Sequence, residues 1–140
     1  MRTHHILQLN AMATAACAIG MLATRGALHS LFGLDTSMPL DIIAIGLLLY
    51  AAALTVTAQQ QPVTRQALML FSIADAVWVA ASAVLLVLFW SELAPMARFL
   101  VIAVATVVEV FATLQFRAAV ARPRVAAHAA SGRFAGETRA

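Results

Sequence analysis

The sequence predicts an all-α membrane protein: a four-helix bundle of antiparallel, up-down connectivity, with a short interfacial helix between the first and second spans. Three observations predict it. Of the 140 residues, 63% are apolar and 11% charged, and the mean hydropathy is +0.91, whereas a soluble domain carries about 25% charged residues to cover its surface. Four apolar runs reach the roughly 17–25 residues that a bilayer crossing needs. The connections joining the second, third and fourth runs are short, which makes neighbours antiparallel. The same composition excludes a disordered chain, a disulfide scaffold, since Cys17 is the single cysteine, and a Cys/His zinc module.

The first span is expected at Ile6 to Thr24, diluted by Gln8, Asn10 and Thr14. Arg2 gives it the look of a signal peptide, but no clean apolar run precedes Cys17, and cleavage is not expected. Cys17 reads as a small thiol facing other helices. Leu28, Leu31 and Phe32 then fall at i, i+3, i+4, which predicts one or two helical turns in the interface, ended by Gly33. His29 is placed toward headgroups or water.

Pro39 opens the second span, Pro39 to Ala58, with Asp41 in the first turn where the helix dipole favours an acid. Gln59, Gln60, Gln61 and Pro62 separate it from the third span, Ala67 to Trp90. Ser91 to Pro95 break the third from the fourth, Met96 to Arg117. Pro123 ends the last helix, so residues 1–123 form the membrane domain and 124–140 a basic cytoplasmic tail, expected to be mobile and attracted to anionic lipid.

All nine basic residues are arginines. With both termini inside, seven of them (Arg2, Arg65, Arg117, Arg122, Arg124, Arg133, Arg139) lie on the inner side and two, Arg25 and Arg98, on the outer. The positive-inside rule therefore predicts N-in, C-in. The basic charge thus reads as topology, and no nucleic-acid partner is expected.

Polar side chains should turn toward neighbouring helices. This predicts inward seams of Asn10, Thr14, Cys17 and Thr24; of Gly46, Tyr50, Ala53 and Thr57; of Asp75, Trp78 and Ser82; and of Thr106, Glu109 and Thr113. For most of these, close packing and local hydrogen bonds explain the residue. Asp75 and Glu109 differ, because a charge at the bilayer centre costs about 2.5–3.5 kcal/mol on insertion scales. Both are expected slightly to the cytoplasmic side of the midplane, with Asn10 and Thr57 at similar depth and no arginine within reach. If they face each other, they share at least one proton. The candidate proton or polar site is thus Asp75, Glu109, Asn10, Thr57 and Tyr50, either a proton or cation site or a neutral pair that fixes helix register.

Recognisable catalytic chemistry is missing from the sequence. The histidines, at positions 4, 5, 29 and 128, lie outside the spans, and there is no phosphate loop, nucleophile elbow or HExxH helix. No cofactor, metal or catalytic residue is expected, and an enzyme would have to work through Asp75, Glu109 and Tyr50 alone.

Met21 to Leu34 (MLATRGALHSLFGL), Ala76 to Ser82 (AVWVAAS) and Leu114 to Arg117 (LQFR) carry a resemblance that covers most of the chain. The sequence resembles a loose group of small, uncharacterised bacterial four-span membrane proteins. The resemblance implies a bacterial inner-membrane location and this architecture, and supplies no activity; Asp75 stands where that group often has asparagine. The expected function is a scaffold or accessory membrane protein, packing against itself as a homo-oligomer or within a larger membrane complex. The alternative is an oligomeric proton-coupled transporter with Asp75 and Glu109 as its proton site, similar in size and span count to small multidrug resistance exporters. Those exporters, however, carry their key acid in the first span, where this chain has none.

Overall fold

A computed structural model describes residues 3–60 and 62–121. It is all-α: α1 (Thr3–Ala23), α2 (Arg25–Leu31), α3 (Met38–Gln59), α4 (Arg65–Leu88) and α5 (Pro95–Val120). Helices α1, α3, α4 and α5 are each long and apolar enough to cross a membrane. Large apolar side chains stand open on their outer faces, Val87 79% exposed, Met12 69% and Leu49 69%, as suits a surface whose solvent is hydrocarbon. The tail expected at 124–140 and the helix stop at Pro123 lie outside the described residues.

Local signals account for the boundaries. Ser37 precedes α3, with Pro39 in its first turn. Thr64 caps α4 by accepting the Ala67 N–H at 3.1 Å, so the helix begins two residues before the run of apolar residues does. Helix α5 passes through Arg117 to Val120 because arginine is a good helix former. The interfacial segment forms a two-turn helix whose Leu28, Leu31 and Phe32 are half-buried, as is His29. It ends in a Schellman motif: Gly33 takes φ +62°, its N–H reaches the Ser30 carbonyl (3.3 Å), and the Leu34 N–H reaches that of His29 (3.1 Å). Arg25 and Asp41 pair at 3.8 Å, linking α2 to the first turn of α3.

The bundle is two helix pairs. α1 packs along α3 and α4 along α5, and the main contact between the pairs runs from α1 to α5. At the end that holds the start of α1 and the end of α5 the pairs close on a tight apolar cluster, with Leu7, Leu54, Leu68 and Ala119 fully buried and Phe71 nearly so. Toward the other end the pairs part and leave a cavity between them.

Candidate functional site

Asp75 lies within two residues of the midpoint of α4 and is 4% exposed. Its carboxylate is bonded to all three of the other long helices. Asn10 Nδ2 of α1 donates to Oδ2 at 2.9 Å, Gln115 Nε2 of α5 donates to the same oxygen at 3.0 Å, and Tyr50 Oη of α3 donates to Oδ1 at 2.7 Å. Thr14 donates to Asn10 Oδ1 at 3.3 Å, extending the network along α1. Helical spacing brings these groups inward: Asn10 shares a face with the buried Leu7 and Ala11, and Gln115 with Ala112 and Ala119. One turn away, Ser72 donates to the Ala112 carbonyl at 2.9 Å and holds α4 on α5.

A carboxylate offers about four acceptor positions. Three are filled here, and one on Oδ1 remains. Among the described residues no arginine pairs with Asp75; the recorded ion pair is Arg25 with Asp41. Gln115 is fully buried, and its Oε1 accepts no bond from the described residues.

Tyr50 has a second acceptor, the Phe71 carbonyl, at 3.2 Å. One hydroxyl hydrogen can serve one acceptor well at a time. With Asp75 ionised, Tyr50 donates to Oδ1. With a proton on Oδ1, that proton can be donated to Tyr50 Oη, whose own hydrogen turns to the Phe71 carbonyl. Both charge states are therefore satisfied without displacement of a heavy atom.

Above this network lies a cavity of about 450 Å³. Its lining is apolar, with Leu47, Val104 and Val107 among its walls, three aromatic side chains (Tyr50, Trp78, Phe111), and Asp75 as the one charged side chain among the described residues. It extends from Asp75 toward the end of the bundle holding the start of α3, past Cys17 and Gly46. Cys17, a free half-buried thiol, lines it as well.

No known protein family, curated protein or solved structure matches this chain.

Of the expected site residues, Asp75, Asn10 and Tyr50 come together, and Thr14, Cys17, Gly46 and Trp78 face the cavity beside them. Glu109 and Thr57 do not join them. Glu109 is exposed on the outer face of α5, where Thr113 donates to it at 3.4 Å. Thr57 turns its hydroxyl back to the Ala53 carbonyl of its own helix at 2.8 Å. The seam expected to point Thr106, Glu109 and Thr113 inward points outward, because α5 carries a second polar position, Gln115, on its alanine-lined inner face. Gln115 is the member that sequence reasoning missed. Its spacing with Ala112 and Ala119 is the signal that marks it.

Proposed function

We propose that this chain is a multi-pass protein of the bacterial inner membrane, N-in and C-in, that binds lipophilic cations at Asp75 and releases them when Asp75 takes up a proton. It is thus read as a small proton-coupled carrier. The observation that carries this reading is a carboxylate with an open acceptor position, lining an apolar cavity that holds no cationic side chain among the described residues. Tyr50, Trp78 and Phe111 present ring faces that attract an organic cation. Asp75 acts alone as the exchanging acid, since Glu109 does not line the cavity and is exposed on the outer face of α5.

The test is binding of tetraphenylphosphonium to the purified protein. Affinity is expected to fall as pH falls, because proton and cation compete for one negative charge, and Asp75→Asn should weaken it at least tenfold. Equal affinity in Asp75→Asn, or equal affinity for a neutral analogue of the same size, would overturn the reading. A liposome proton-flux assay with the same variant then separates a carrier from a binding protein.

The scaffold or accessory reading draws support from a different observation: Asp75 takes one bond from each other long helix, as a register-fixing staple would. Under it, no cation binds and Asp75→Asn alters neither binding nor flux.

A further inference from the structure

The outer face of α5 carries a second pattern, independent of Asp75. Phe99, Ile102, Thr106, Glu109, Thr113 and Phe116 follow one another at spacings of 3, 4, 3, 4 and 3, and all six are exposed. Phe99 is 68% exposed, Phe116 50% and Ile102 45%. That spacing is the a/d seam of a left-handed coiled coil, which is straight and continuous only against a partner helix. α5 spends its inner face on α1 and α4, so among the described residues no other helix covers this seam.

The middle of the seam decides the partner. Glu109 is within two residues of the midpoint of α5, at a depth where hydrocarbon offers neither headgroups nor water. Among the described residues its one bond is the 3.4 Å contact from Thr113 of the same helix. A carboxylic acid is self-complementary, since one member of a pair donates and the other accepts. The imbalance of seven arginines against two gives every copy the same orientation. Two copies related by an axis along the membrane normal therefore bring equal-numbered residues together at equal depth.

We infer that two copies of this chain pair in parallel through the Phe99–Phe116 seam of α5, with Glu109 bonded to Glu109 of the second copy at its centre. Phe99, Ile102 and Phe116 close the ends of the seam. The central acid sets its register, as a single polar a or d residue does in a coiled coil, and Thr106 and Thr113 stand one turn to either side.

The test is disulfide cross-linking in membranes, in a Cys17→Ala background. Ile102→Cys and Thr113→Cys, both on the seam, should form a covalent homodimer, and Val87→Cys on the outer face of α4 should not. With Ile102→Cys as reporter, Glu109→Ala should reduce the cross-linked fraction at least threefold. Glu109→Gln, whose amide also pairs with itself, should keep it. Cross-linking equal at Val87 and the seam would overturn the inference, as would none at either seam position or no response to Glu109→Ala. So would adducts to a different protein, or a single copy per particle by light scattering of the purified wild type.

Discussion

Two substitutions at Asp75 separate its charge from its hydrogen bonds. In Asp75→Asn the oxygen can still accept from Asn10 and Gln115, and the amide nitrogen can donate to Tyr50, which turns to the Phe71 carbonyl. This variant copies the protonated acid and should unfold within about 1 kcal/mol of wild type. Asp75→Ala strands two donors, on Asn10 and Gln115, and leaves Tyr50 only its longer bond to the Phe71 carbonyl; at roughly 0.6–1.7 kcal/mol per bond in a membrane bundle, it should cost about 2 kcal/mol in a denaturation series of the purified protein. Tyr50→Phe removes one donor and should cost about 1 kcal/mol by the same measurement. Asp75 was legible in the sequence because a membrane span has little tolerance for an acid, and Asn10 and Tyr50 because they fall on polar helical faces. Gln115 was not: an amide close to Arg117 reads as part of a helix end, whereas its full burial depends on where α5 crosses α4.

Among the elements, α2 depends most on its stop. Among the described residues Gly33 alone takes positive φ, a region that costs an L-residue about 1–2 kcal/mol. Gly33→Val should therefore lower the melting temperature, while Gly26→Ala should leave it unchanged or raise it, since an added Cβ there meets nothing within 4 Å and alanine is the better helix former. Thr64→Ala should cost α4 about 1 kcal/mol through its lost cap. The spans, the interfacial helix and its glycine stop were readable from run length, i, i+3, i+4 spacing and turn chemistry. Facing was readable only in part. Polar residues mark a contact face wherever a helix has one polar stripe, but α5 has two, Gln115 inward and Thr106, Glu109 and Thr113 outward. The choice between them is made by packing, which periodicity does not contain.

At the scale of the molecule, the division into two helix pairs creates the cavity, and filling it should separate binding from stability. A side chain added at Gly46 meets nothing within 4 Å, so Gly46→Phe should enter the open space, weaken tetraphenylphosphonium binding at least tenfold and leave the unfolding transition in place. The orientation is tested by labelling in a Cys17→Ala background. A membrane-impermeant maleimide added outside intact spheroplasts should modify Ser91→Cys, in the loop between α4 and α5, and spare Gln60→Cys at the end of α3. The reverse pattern would invert the topology. The two-pair arrangement was not legible beforehand, because polar seams on all four spans predict a closed bundle equally well.

The Phe71 carbonyl bears on the pace of such a device. Since it stands ready to take the Tyr50 hydrogen, the hydrogen bonds around Asp75 follow a change of its charge by rotation about one C–O bond, an event of picoseconds to nanoseconds, once the proton has come or gone by way of the cavity that Asp75 lines. Any opening of the end sealed by Leu7, Leu54 and Leu68 requires the helix pairs to move as bodies, which takes microseconds to milliseconds. Rearrangement of the hydrogen bonds at Asp75 would thus never set the pace of a cycle, and the slower event is the parting of the packed leucines.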